Sequence, residues 1–276
     1  FDVTGGTLSD LAVDANDPKI YRATFTPEAG FEGAAEIAVK DGSYTDIAGN
    51  AGAASTAPLS LDVDTRAPQV TQFARTDGGD AVLAEGETAV ISLAVDEPLS
   101  QALSASDFTI TGGTIVNVTE VTGSGAAATA WDIEVAPTAG AVDAIALALE
   151  DGLVDAAGNG LDLAGAGPVG VEYDTELPAA PSLAEADGGT VLEDGFVNTS
   201  QAEETLTVRV SLPDGAVEGD AVELLLAGAS FAPAKTVSVT GTDLTNGYVD
   251  IEVARGDLGA DGAKALSARI TDAAGN

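Results

Sequence analysis

The chain has no histidine, no cysteine and no methionine, and sets only 10 basic residues against 45 acidic ones. Without His or Cys there is no Ser-His-Asp triad, no cysteine nucleophile, no thiolate zinc site and no H-E-x-x-H metalloprotease helix. Acid–base chemistry would fall to carboxylates, Lys or Tyr. A formal charge of −35 offers no counter-charge to a polyanion, so neither nucleic acid nor an anionic membrane surface is an expected partner. No apolar run approaches the roughly 18 residues of a membrane helix, and no signal peptide opens the chain. Aromatic residues make up 4% of the chain. A glycosidase needs two facing carboxylates and usually aromatic stacking surfaces, whereas the acids here are spread over every turn, so no enzyme is expected.

What is present is enough apolar residue, 45% of 276, to bury a core, over a length that suggests roughly two domains. Cations are the natural partners of so acidic a surface. The chain opens at Phe1 with no initiator Met, as expected of a segment excised from something longer.

Laid against itself at about 110 residues, the sequence repeats. Thr4-Gly5-Gly6-Thr7 recurs as Thr111-Gly112-Gly113-Thr114, and Tyr21 to Gly30 matches Trp131 to Gly140. Asp46-Ile47-Ala48-Gly49-Asn50 returns as Asp155 to Asn159 and as Asp272 to Asn276. Asp64-Thr65-Arg66-Ala67-Pro68 corresponds to Asp174-Thr175-Glu176-Leu177-Pro178. These are tandem modules, with Pro68 and Pro178 at the joints.

Apolar residues alternate between the turns, as a strand with one buried face requires. Ile91, Leu93 and Val95 do so, as do Ile145, Leu147 and Leu149, Leu206, Val208 and Val210, and the strands ahead of the joints, Leu59 to Val63 and Val169 to Tyr173. Asp77-Gly78-Gly79, Asp187-Gly188-Gly189 and Pro213-Asp214-Gly215 are turn signals, and no stretch keeps a helical period for three turns. Alanine is abundant, but glycine interrupts every Ala-rich stretch. The pattern predicts antiparallel β-sandwiches. Because Phe1 aligns with Phe108, the expected division is a module over 1–66 lacking its first strands, a whole module over 67–176, and a module over 177–276 lacking its last strand.

The D-x-A-G-N turn, the D-T-x-x-P joint and the stretch from Thr26 to Gly33 resemble the bacterial Ig-like modules repeated in giant surface adhesins and biofilm-associated proteins. The third module, with Asp194 to Asn198 and Ala260-Asp261-Gly262, resembles a sister variety. The resemblance covers essentially the whole chain. It implies an all-β fold of tandem Ig-like sandwiches arranged as an elongated rod. It further implies an extracellular stalk, at a bacterial surface or secreted, whose modules are rigidified by Ca²⁺ near the joints and whose tip ligand lies outside these residues.

Calcium takes six to eight oxygens from carboxylates, amide oxygens and backbone carbonyls, and tolerates irregular loops. In an Ig-like sandwich the turn before the last strand sits at the end where the preceding module attaches. Asp155 and Asn159 are therefore expected near Asp64, and Asp272 and Asn276 near Asp174. The loop after the second strand shares that end, bringing Asp96 and Glu97 to the first joint and Asp214 to the second. Asp46 and Asn50 are the equivalent candidates of the first module. Like charges gathered at one joint repel in the absence of a cation. Two simpler readings stand beside this one: D-x-A-G-N as a turn and nothing more, and surplus acid as a solubility device. No EF-hand loop or glycine-rich nonapeptide is present, so such a site is assembled from distant segments.

Asp14, Asn16 and Asp17 read as a solvated acidic turn, Trp131 as a core or sheet-face aromatic, and Arg255-Gly256-Asp257 as a turn rather than an integrin-recognition tripeptide. The leading function is a spacer holding an adhesive tip away from a cell. A module that itself recognises carbohydrate or a host protein, and an accessory region of a secreted hydrolase, are the alternatives. Repetition of one turn in every module favours the spacer.

Overall fold

A computed structural model describes residues 1–122, 128–185 and 205–276. The turn at Asp187-Gly188-Gly189 and the segment Asp194 to Asn198 lie outside the described residues. The fold is all-β, and among the described residues its sheets are antiparallel but for one parallel strand pair. No helix among the described residues is long and apolar enough to cross a membrane.

Residues 1–64 form β1 (Asp2–Thr4), β2 (Gly6–Val13), β3 (Tyr21–Pro27), β4 (Glu32–Ala38) and β5 (Leu59–Asp64). They make two sheets, β1-β4-β5 and β2-β3. Little is buried: Ala35 is the one hydrophobic residue here in the core, while Leu11, Val13 and Tyr21 are exposed.

The central unit repeats that order and adds three strands ahead of it. These are β6 (Val70–Arg75), β7 (Val82–Leu83) and β8 (Ala89–Val95); β9 (Phe108–Thr111), β10 (Gly113–Thr122), β11 (Ala130–Pro137), β12 (Val142–Leu149) and β13 (Val169–Asp174) follow. Two four-stranded sheets, β10-β11-β8-β6 and β7-β13-β12-β9, face each other. Strict alternation in β8, buried at every second residue from Ala89 to Val95, delivers Ile91 and Leu93 to the same core as Trp131, Ile133, Ile145 and Leu147. Each such side chain contributes about 1.5–3 kcal/mol by leaving water. Trp131 sits opposite Leu93 in the β11–β8 register and is fully buried. Tyr21, its counterpart in residues 1–64, has no strand on that flank and is 63% exposed.

The Thr-Gly-Gly-Thr repeat has a steric cause. Gly112 has φ +71°, and a Cβ there would lie 2.1 Å from the Ala144 carbonyl oxygen; one on Gly113 would lie 2.4 Å from that of Ala136. Only glycine lets the chain cross from β9 to β10 so close to its neighbours.

The third unit contains β14 (Ser182–Glu185), β15 (Leu206–Ser211), β16 (Ala221–Leu226), β17 (Ala229–Ser238), β18 (Tyr248–Val253) and β19 (Leu266–Thr271). Its sheets are β14-β15-β18 and β17-β16-β19 around a separate core that includes Val210, Leu224 and Ile251. Here β17 pairs with β16, whereas its sequence-order equivalent β10 pairs with β11. The third unit is thus a different variety of sandwich from the second. A six-residue helix, α1 (Gly241–Asn246), interrupts the strands. Thr240 and Asp243 form its capping box and Gly247 closes it in the left-handed conformation, so local capping supports a helix too short to show a period.

One departure from the simplest expectation stands out. The pairing of β7 with β13 is parallel, which a strictly antiparallel sandwich does not contain. It arises because the chain between β6 and β8 crosses to the opposite sheet at a two-residue strand.

Candidate functional site

The joint motif D-T-x-x-P is held by its threonine. Thr65 Oγ1 accepts the Phe31 N–H at 2.9 Å and donates to the Glu28 carbonyl at 2.6 Å. Thr175, 1% exposed, does the same with Ala141 N–H (3.1 Å) and the Thr138 carbonyl (2.7 Å). A β-branched side chain with one donor and one acceptor therefore locks the end of each final strand to the preceding hairpin turn. The aspartate before it folds over the next residue: Asp64 Oδ1 accepts Arg66 N–H and Asp174 Oδ1 accepts Glu176 N–H, each at 3.1 Å.

The D-x-A-G-N turn is equally regular. Asp155 Oδ1 accepts the N–H groups of Ala157, Gly158 and Asn159 at 2.7–2.8 Å, and Asp155 Oδ2 accepts the Asn159 amide at 2.8 Å. Asp272 holds Ala274, Gly275 and Asn276 in the same way. Asp46 accepts from both the backbone and the amide of Asn50, on an exposed surface. Turn chemistry thus accounts for these aspartates by itself, and yet the turns also reach the joints. The Asn159 amide lies 3.3 Å from the Asp64 carbonyl and 3.4 Å from Asp64 Oδ1. The Asn276 amide donates to the Asp174 carbonyl at 2.8 Å. In both cases the asparagine presents its nitrogen to the linker; Asn276 Oδ1 accepts Glu85 N–H at 2.6 Å.

At the first joint Asp64, Glu97 and Asp155 come together, with one carboxylate oxygen of each inside a 4.8 Å group. Asp155 is 3% exposed. Burial alone would raise its carboxyl, but the Asn159 amide and the N–H groups of the turn outweigh that and hold it below the ordinary carboxylate range. Glu97 is shifted the other way. Its burial comes first among the causes, and the neighbouring Asp64, Asp96 and Asp155 add to it against the opposing pull of Arg66. Glu97 Oε1 is buried without a hydrogen-bond partner. Asp96 stands apart from this group: Oδ1 accepts Gln69 N–H at 2.7 Å and Oδ2 pairs with Arg66.

At the second joint the acids line a cleft of about 370 Å³ whose walls include Asp174, Glu176, Asp214, Asp220 and Asp272. Asp220 is 2% exposed; Oδ2 accepts Val217 N–H at 2.8 Å and Oδ1 has no partner. Sequence reasoning places Asp174, Asp214 and Asp272 here and misses Asp220, whose signal is an acid standing immediately before the apolar strand β16. It also misses Arg66, one of only 10 basic residues in the chain, although it lies inside the joint motif. Asp46 and Asn50 join no acidic cluster among the described residues.

The remaining candidates resolve simply. Asp14 gathers Arg22 and the N–H groups of Asn16 and Asp17, an ion-paired turn rather than a merely solvated one. In the Arg255–Leu258 turn, Asp257 pairs with Lys235 Nζ at 2.8 Å and accepts Ala254 N–H, which ties the tripeptide's carboxylate to its own module.

A family model described as bacterial Ig-like domain matches residues 1–63 and again 64–172. Among solved structures, the chain is similar to one from a 1.5-MDa bacterial ice-binding adhesin, at 19% identity over 94% of this chain and 77% of that one, with a TM-score of 0.37. It is similar to the Escherichia coli adhesin FdeC at 14% identity over 98% and 80%, with a TM-score of 0.35. For Yersinia pseudotuberculosis InvD the values are 14%, 96% and 70%, with a TM-score of 0.30. No curated protein matches the chain.

Proposed function

The chain belongs to the bacterial Ig-like domain family, and from that premise we propose that it is an extender segment of a bacterial cell-surface adhesin, stiffened by calcium at its inter-module joints and carrying an adhesive domain elsewhere in a longer chain. The proposed units are 1–66, 67–176 and 177–276, with the joints at Asp64–Pro68 and Asp174–Pro178. Support for the spacer role comes from repetition: the joint and turn motifs recur, and the second and third D-x-A-G-N turns each meet the D-T-x-x-P segment before them. A recognition site would more naturally be unique to one module. No catalytic role is assigned.

The observation that carries calcium is the first-joint group of Asp64, Glu97 and Asp155, in which Glu97 Oε1 is buried with no donor. Three carboxylates from two units crowd there against the opposing pull of Arg66, and their hard oxygen donors suit Ca²⁺ rather than a softer metal. At the second joint Asp174, Asp214, Asp220 and Asp272 supply the same chemistry. A proline restrains only its own φ and the residue before it, so a cation shared across the joint would add the restraint that the linker lacks. With affinities of about 10⁻⁴–10⁻³ M, typical of extracellular modules, calcium at about 1 mM adds about 0.4–1.4 kcal/mol per site. Small-angle scattering on the chain tests the reading: the maximum dimension should be larger in calcium than in chelator, and Asp174→Ala should shrink that difference. A profile indifferent to calcium at constant ionic strength would end the calcium part of the proposal.

A further inference from the structure

The two joints differ at one residue of the shared motif, and the difference is matched across the neighbouring strand. Where the first joint has Arg66, the second has Glu176. In the β4–β5 register Glu32 faces Asp64, and in the β12–β13 register Val142 faces Asp174. The first joint therefore has an arginine together with a glutamate beside it, and the second has neither. In the structure Arg66 Nη1 lies 3.4 Å from Glu32 Oε2, and Nη2 pairs with Asp96 Oδ2. Glu32 belongs to the first unit. Asp96 follows β8 of the central unit, where Gln69 N–H holds its other oxygen at 2.7 Å. One planar guanidinium with several donors thus joins carboxylates of two units, a geometry that a lysine's single point charge does not reproduce. Arg66 also stands close enough to Glu97 to oppose the crowding of the acid group.

We propose that Arg66 is the resident cation of the first joint: by bridging Glu32 and Asp96 it keeps the first two units aligned after divalent cations are removed. The second joint has an acid in that place and five acidic side chains around its cleft, so no built-in positive charge lines it among the described residues. Only this contrast rests on the calcium reading above; the bridge itself does not. Because the Arg66 side chain is 41% exposed and that of Asp96 23%, the bridge is open to ionic screening, whose range falls from about 8 Å at physiological salt to about 3 Å at 1 M. Monovalent salt, not chelator, should therefore loosen the first joint.

The absence of cysteine makes the test clean, since any introduced pair is the only pair available for spin labels. Thr24→Cys with Val121→Cys reports on the first joint, and Val121→Cys with Thr236→Cys on the second; all three positions are exposed. Pulsed dipolar spectroscopy on the full chain in chelator should give a narrow distance distribution across the first joint. Arg66→Gln or 1 M sodium chloride should broaden it, while the second-joint distribution in Arg66→Gln stays as in the parent and shows that the protein is folded. A first joint already broad in chelator, or one that Arg66→Gln leaves narrow, would overturn the proposal. A second joint indifferent to calcium, beside a first joint broadened by Arg66→Gln, would sink the calcium reading and leave the arginine bridge standing.

Discussion

The side-chain amide of Asn276 donates to the backbone carbonyl of Asp174 at 2.8 Å, spanning 102 residues of sequence. Asn159 stands in the same relation to Asp64 at the other joint. The asparagine that closes each turn therefore also fastens a module to the linker before it, with no charge on the donor.

Replacing Asn159 by Ala removes the amide from both Asp155 Oδ2 and the Asp64 carbonyl. The expected cost is about 1–3 kcal/mol, because one of the lost bonds is to a charged acceptor. Asn159→Asp should cost more in chelator than in calcium, since it adds a carboxylate to the group at Asp64, Glu97 and Asp155. Thermal unfolding of both variants, with and without calcium, measures the difference.

Glu97 supplies a prediction with opposite signs under two conditions. Its folded-state pKa is raised, chiefly by burial, so its contribution is fully present below the unfolded pKa and is lost as pH rises through the folded one. At pH 7 without divalent cations the ionised group is a burden, and Glu97→Gln should raise the melting temperature. In calcium the same substitution should lower it, because a ligand oxygen charge is gone. Asp155 runs the other way: its pKa is depressed, so its contribution is present at neutral pH and is lost as pH falls through the folded pKa. Melts from pH 3 to 8 in both conditions distinguish the two carboxylates.

Thr175→Val keeps shape but strips a hydroxyl that is both donor and acceptor in a 1%-exposed site. The Ala141 N–H and the Thr138 carbonyl then lose that partner, at about 1–3 kcal/mol. Urea denaturation of the chain should show the loss in the transition of the central unit.

Trp131 and Tyr21 occupy equivalent places in the repeat, yet Trp131→Ala should cost about 3–5 kcal/mol and Tyr21→Ala within about 0.5 kcal/mol. The former is fully buried and the latter 63% exposed. Equal effects in denaturant titrations would mean that residues 1–64 bury Tyr21 in solution.

Much of this is legible in the sequence alone. Period-two alternation placed Ile91, Leu93 and Val95 on one face of a strand, and they are buried on one face. The repeated turn and joint motifs, set on a sandwich topology, were enough to bring Asp155 and Asn159 to Asp64, and Asp272 and Asn276 to Asp174. The parallel pairing of β7 with β13 was not legible, nor was the exchange of β17 to the sheet of β16. Alternation tells which face of a strand is buried; it carries no information about which edge receives a partner.

The acid sites divide along the same line. Composition and spacing determined that the chain is acidic, repetitive and built of strands, because those properties are carried by residue type and by intervals of one module or less. Which acid is left without a partner was decided only in three dimensions. Asp96 is taken up by Arg66 and the Gln69 N–H, whereas Glu97, its neighbour in sequence, keeps a buried oxygen with no donor. Asp96 and Glu97 sit in the bend just past β8, and what each meets is set by residues distant in sequence, Arg66 and Gln69 for the one and Asp64 and Asp155 for the other, whose arrival depends on the whole sandwich having closed.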